Sequence, residues 1–172
     1  MVRTNWRSMT AALGALCALA ACTTPPATPQ AMTAADAPAP KPNWVVKRAV
    51  AVGNVTDASG HSAVTAEAFR QALEQSLAAA NYLADGPKAH YRLDASLQEI
   101  DQPPFTLTEN VTVTSTVLYR LTGHGTNAQY SVTSTATATF DDAAIFGKRV
   151  QLASERALHA NIEALLDKLQ KF

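Results

Sequence analysis

Cysteine is nearly absent from this chain: two occur among 172 residues, at positions 17 and 22. Two thiols cannot build a framework of several disulfides or a four-cysteine zinc site. Surplus charge of one sign is absent too, with 14 basic and 14 acidic residues. Without a basic excess, electrostatic binding to nucleic acid is excluded as a main activity. The apolar run at residues 11–21 (AALGALCALAA) falls well short of the roughly 20 residues needed to cross a bilayer. The four histidines, His61, His90, His124 and His159, form no HxxxH or HExxH pair. No serine sits in a GxSxG frame. Gly123-His124-Gly125 lacks the third glycine of a nucleotide-binding loop, and Asp141-Asp142 lacks EF-hand spacing. The sequence therefore offers no catalytic residue, no metal-ligand set and no cofactor motif, and the expectation is a protein that is not an enzyme.

What is present begins at the N-terminus. Arg3 and Arg7 precede the short apolar run, no acidic residue interrupts it, and small residues follow. This is the three-part build of an export signal, with an h-region of about ten residues. The run ends in Leu19-Ala20-Ala21-Cys22, which resembles a bacterial lipobox. The resemblance implies cleavage between Ala21 and Cys22 and acylation of Cys22 as the first mature residue. Residues 1–21 are then a lipoprotein signal peptide, and the mature chain has no free thiol and no disulfide. It keeps 12 basic and 14 acidic side chains, because only Arg3 and Arg7 are lost. Each buried methylene contributes ~0.8 kcal/mol, so one acyl chain holds marginally and several hold firmly. The expected partner is thus a membrane, held through N-terminal acyl chains. Residue 23 is Thr rather than the Asp that favours inner-membrane retention in enterobacteria-like sorting. That favours the outer membrane, with the protein facing the periplasm.

Residues 22–43 are rich in Pro, Ala and Thr and carry few large apolar groups. Such a segment does not offset its chain entropy by burial, and it reads as a lipidated tether. A single α+β domain is expected over 44–172. Residues 45–53 are a candidate strand, and Asp57 to Gly60 a turn. Phe69, Leu73, Leu77 and Ala80 recur at helical spacing, predicting a helix over about 65–83 that Asp85-Gly86-Pro87 stops. Alternation predicts three strands over 90–100, 107–122 and 128–140. The second and third are joined by the Gly123 turn as a hairpin. Leu158, Ile162, Leu165, Leu166 and Leu169 mark a closing amphipathic helix over about 152–171. The order β-α-β-β-β-α predicts a two-layer sandwich: a four-stranded, mostly antiparallel sheet with two helices on one face.

On the other face, Thr112, Thr114 and Thr116 would stand beside Thr133, Thr135, Thr137 and Thr139. Threonine suits exposed strand positions for its β-propensity alone. The same rows also make a flat candidate face for a protein or glycan partner. Asp101-Gln102-Pro103-Pro104-Phe105 sets an aromatic beside two prolines, as a contact tip or as a cap folded back onto the core.

The lipobox, the helix carrying Phe69 to Leu77, the hairpin around Gly123 and the closing helix Asn161-Ile162…Leu165-Leu166…Leu169 together resemble small envelope lipoproteins. These are the YajG-type lipoproteins, the lipoprotein partner of the lipopolysaccharide-assembly barrel, and auxiliary lipoproteins of envelope transporters. The resemblance covers the whole mature domain and implies a non-enzymatic scaffold or an assembly or transport accessory with an envelope protein partner. The alternative is a periplasmic module binding a lipid, glycan or peptidoglycan-linked ligand in a pocket between sheet and helices.

Overall fold

The computed structural model describes residues 24–36, 46–60, 63–85, 89–105 and 110–171. The signal segment, the Ala21–Cys22 junction, the expected domain start at Trp44 and His61 lie outside the described residues. The described elements run α1 (Pro29–Met32), β1 (Val50–Asp57), α2 (Ala66–Ala79), β2 (Tyr91–Asp101), β3 (Val111–Gly123), β4 (Thr126–Ala138) and α3 (Phe146–Gln170). After the single turn of α1, the order is β-α-β-β-β-α, an α+β sandwich.

The sheet order is β1-β2-β3-β4. β1 and β2 are parallel, so a crossover must join them, and α2 supplies it. The other two pairings are antiparallel. Alternation along β3 sends Val111, Val113, Val117, Tyr119 and Leu121 into the core. β2 alternates likewise until a bulge between Leu97 and Glu99, after which Ile100 rather than Glu99 is buried. β3 and β4 meet in a two-residue turn, with His124 at φ 45° and Gly125 at φ 76°. Both central residues are left-handed, as a type I′ hairpin turn requires.

α2 opens on Thr65, whose hydroxyl accepts the Ala68 N–H at 3.1 Å. It stops well short of Asp85-Gly86-Pro87. Asn81 turns left-handed at φ 59°, its N–H bonds the Ala78 carbonyl, and the Tyr82 N–H bonds the Leu77 carbonyl at 2.7 Å. That is a Schellman cap with Asn in the usual glycine position. The first strand starts later than the Val/Ala run suggests. Residues 46–48 form a turn, with Arg48 at φ 52°, and the Tyr82 carbonyl receives the Ala49 and Val50 N–H groups. α3 begins six residues earlier than the leucine stripe predicts, at Phe146.

The core lies between one sheet face and the helices. Phe69, Leu73 and Leu77 from α2, Leu93 and Leu97 from β2, and Leu158, Ile162, Leu165 and Leu166 from α3 are all completely buried. One polar cluster joins the layers. The Tyr119 hydroxyl donates to Asn161 Oδ1 at 2.9 Å, and Asn161 Nδ2 donates to the Val132 carbonyl at 2.9 Å. Burial pushes the Tyr119 hydroxyl well above the usual phenol range, so it stays a donor.

Candidate functional site

The outer face of β3 and β4 carries the threonine rows. Register sets Thr112 opposite Thr137, Thr114 opposite Thr135, and Thr116 opposite Thr133. Their hydroxyls bond across the strands at 2.9, 3.0 and 3.1 Å. Thr56 continues the pattern by donating to Ser96 at 3.0 Å. Six of the seven predicted threonines thus lie on one face and are mutually hydrogen-bonded. Thr139 does not join them. β4 ends at Ala138, and the Thr139 N–H and hydroxyl both bond Asp142 Oδ2, at 2.7 and 3.1 Å. Phe140, the last residue of the strand predicted over 128–140, lies beyond the end of β4 and is 53% exposed.

The same face has a charged flank. Asp94 Oδ1 accepts from Arg92 Nε at 2.8 Å and from the Asn54 N–H at 2.6 Å. These hydrogen bonds and the Arg92 and Arg120 charges hold its carboxyl below the usual range, against a desolvation that acts the other way. Gly53 sits against this pair, and a Cβ there would overlap Asp94 Oδ1 and Arg92 Nε. Any larger side chain would have to push the Arg92–Asp94 pair aside.

A second site was not foreseen. Part of the expected tether is docked on the domain. Ala27, Met32 and Ala34 are buried against the core, with Met32 and Ala34 completely enclosed. The Ala27 N–H bonds the Ala63 carbonyl at 2.7 Å, and the Ala34 N–H bonds Ser76 Oγ on α2 at 2.9 Å. From α3, Glu155 Oε1 accepts from the Thr28 N–H at 2.8 Å and the Thr28 hydroxyl at 3.1 Å. Gln151 Nε2 donates both to the Pro26 carbonyl, at 2.8 Å, and to Glu155, at 3.0 Å. Residues 26–34 are therefore a strap across α2 and α3, not an extended spacer. Proline composition hides this, because the hold is mostly polar. The available signal was on α3: Gln151 and Glu155 continue the stripe of Leu158 and Ile162 at helical spacing, so two polar residues occupy the buried face.

Among the described residues, the histidines do not converge with one another or with carboxylates into a site. The His90 and His124 rings lie 4.9 Å apart at a tilt of 58° beside the hairpin turn, and His159 lies 3.6 Å from Glu163 along α3. Among the described residues, no group of three or more His, Cys, Asp or Glu is placed to hold a metal. Between sheet and helices, where a ligand pocket was the alternative expectation, the described residues place the buried cluster of core side chains. An open depression of about 390 Å³ lies elsewhere, where β1, β2 and the hairpin turn meet, lined by Gly53, His90, Tyr91, Arg92 and Gly123 among others.

No family model matches this chain, and no curated protein does. Solved structures do. The hypothetical protein CT253 of Chlamydia trachomatis superposes with a TM-score of 0.51 at 12% identity, over 73% of this chain and 99% of its own. The two share a fold. A Caulobacter crescentus protein provisionally described as a lipoprotein gives 0.46 at 17% identity, over 71% of this chain and 88% of its own. A Xanthomonas campestris protein of the family DUF330 gives 0.49 at 12% identity, over 74% and 87%. At 0.46 and 0.49, these two carry no argument about function.

Proposed function

We propose that this chain is a lipid-anchored envelope lipoprotein, carried at the outer membrane and facing the periplasm, that works as a non-enzymatic scaffold or as an assembly or transport accessory. The observation that carries the reading is the lipobox Leu19-Ala20-Ala21-Cys22 set four residues ahead of Pro26, where the chain is already bound to α3. An acylated Cys22 would be coupled to the domain almost directly, and the domain is held near the bilayer rather than on a long leash. A partner protein meets the flat threonine face or an open edge of the sheet. β1 and β4 are the edge strands; Val50 of β1 is bridged to Leu83 and Arg156 holds the Thr137 carbonyl of β4, so strand addition uses the lengths of edge that these contacts leave.

The test is Cys22→Ser in cells. The variant should leave the membrane fraction after a salt wash, and the wild-type product should carry an acylated Cys22 as its first residue by mass spectrometry. An unmodified N-terminus upstream of residue 22 refutes the anchor. For the accessory role, photo-crosslinkers at Thr114 and Thr135 should capture a defined envelope protein in intact cells. Crosslinks to no protein from either site would remove that face from the proposal.

A further inference from the structure

Three large apolar side chains stand exposed among the described residues: Phe105 at 67%, Phe140 at 53% and Ile145 at 61%. They come from three separate segments, the loop after β2, the turn after β4 and the N-cap of α3. The fold gathers them. The Phe105 ring packs edge-on against Phe146 at 4.8 Å, and Phe146 directly follows Ile145. The Arg149 guanidinium lies 5.3 Å from the Phe140 ring centre and 5.8 Å from that of Phe146. Arg149 is completely buried, and its Nη1 holds the Ala143 and Ala144 carbonyls, both at 2.9 Å. Its Nε and Nη2 form no hydrogen bond and are left to the aromatic faces. A buried guanidinium is costly, and this one fixes the turn and the rings in a single arrangement. The exposed apolar groups are therefore a rigid, shaped knob at the N-terminal end of α3.

The strap runs toward that knob. Thr28 is held at Glu155 and Pro26 at Gln151, so the chain, followed backward, moves down α3 toward its N-terminus by about 6 Å. Ile145 lies a further ~9 Å along the helix from Gln151. The four residues from Cys22 to Pro26 span at most about 14 Å. The acylation site is thus within reach of the knob, and the bound part of the chain already points there.

We propose that Phe105, Phe140 and Ile145 are the surface by which the domain rests on the bilayer that holds the Cys22 acyl chains, buried at the boundary between headgroups and hydrocarbon. This rests on the lipoprotein reading and adds an orientation to it. Lys148, one residue before Arg149, brings a cation to this end of α3, where its ammonium donates to Gln151 Oε1 at 2.7 Å. β4 leads away from this contact, so the hairpin turn at His124 stands on the order of 40 Å from the membrane. The threonine face then runs along the membrane normal, open to a periplasmic partner.

The test uses the mature acylated protein, beginning at Cys22, in phosphatidylcholine vesicles. Trp44, the tryptophan that remains after cleavage, is replaced by Phe, and single tryptophans are introduced by Phe140→Trp, Ile145→Trp or Thr135→Trp. Phospholipids brominated near the headgroup end of their chains should quench the Phe140→Trp and Ile145→Trp reporters by roughly half and spare Thr135→Trp, given a burial depth of about 5–10 Å. Vesicle flotation is read on the same samples. Protein that floats with equal quenching at all three positions, or with none, overturns the knob as the membrane contact and leaves the anchor standing. A reporter at position 140 shielded only by a second copy, with concentration-dependent emission in detergent and no bromine quenching, overturns it likewise. Protein that fails to float overturns both.

Discussion

The threonine face and the Phe105–Phe140–Ile145 knob are built on opposite terms. On the face, pattern is conspicuous and needs are met: each hydroxyl of Thr112, Thr114 and Thr116 has a partner across the strand. At the knob, the sequence shows no pattern, since the three residues lie in three segments, yet the groups remain unsatisfied by the protein itself. A periodic array reports first on the strand that carries it. An unmet apolar surface held rigid by a buried arginine is the stronger pointer to something outside the molecule.

The hardest way to break this comparison is to unseat α3, which supports both regions. Asn161→Ala leaves the Tyr119 hydroxyl buried without its acceptor and takes the second donor from the Val132 carbonyl, which stays paired with Val117 across the sheet. An orphaned buried hydroxyl costs about 1–3 kcal/mol and the truncated amide leaves a cavity besides, so the variant should lose on the order of 2–4 kcal/mol in urea unfolding. An unchanged midpoint would mean that water enters and replaces the amide.

Next in size is the strap. Glu155→Ala removes the acceptor for the Thr28 N–H, the Thr28 hydroxyl and Gln151 Nε2. A loss of about 1–3 kcal/mol is expected. Hydrogen exchange should accelerate at Ala27 and Ala34 far more than in β3, because local opening of the strap precedes global unfolding. Uniform acceleration would show that strap and domain open as one unit, and the anchor would be tied more tightly still to the fold.

A smaller effect is expected on the face itself. The pair Thr114→Val with Thr135→Val swaps two hydroxyls for methyls on exposed strand positions. Removing both partners together leaves no orphan, and cross-strand pairs contribute about 0.2–1 kcal/mol. Stability should therefore stay within ~1 kcal/mol while any crosslinked partner is lost. Retained crosslinking with normal stability would return these residues to plain β-propensity.

Legibility in the sequence follows the same division. The strict alternation of Val111 to Leu121 and the stripe of Leu158 to Leu169 each have one strong period, and both elements formed as those periods require. The start of β1 was not readable, because Arg48 takes a left-handed φ set by contacts with residues 81 and 82, more than thirty positions away. The strap escaped for a similar reason. Its decisive bond joins Thr28 to Glu155 across 127 residues, and its own apolar contribution is two alanines and one methionine. Periodicity registers local geometry, and these features were made by long-range polar contacts that leave no local period.

The finest test lies at the joint between the two regions. Asp142 and Arg156 link the end of β4 to α3, with Arg156 Nη2 on Asp142 Oδ1 at 2.6 Å and Arg156 Nη1 on the Thr137 carbonyl at 2.9 Å. Bonds from Arg156 and from the Thr139 backbone hold the Asp142 carboxyl far below its ordinary 3.8. A carboxyl lowered on folding contributes stability above its unfolded pKa, because there both states are ionised and only the folded one has the arginine. As pH falls from 3.8, the unfolded chain takes up the proton first, and the contribution drains away until the folded carboxyl also protonates. Asp142→Asn should therefore be slightly less stable than wild type by the same margin from roughly pH 5 to 8, with the margin closing below about pH 4. The pair is solvent-facing, so the margin should also shrink with added salt. A margin that persists at low pH would assign the effect to the Thr139 turn rather than to charge. The face and the knob would then be joined by backbone geometry alone.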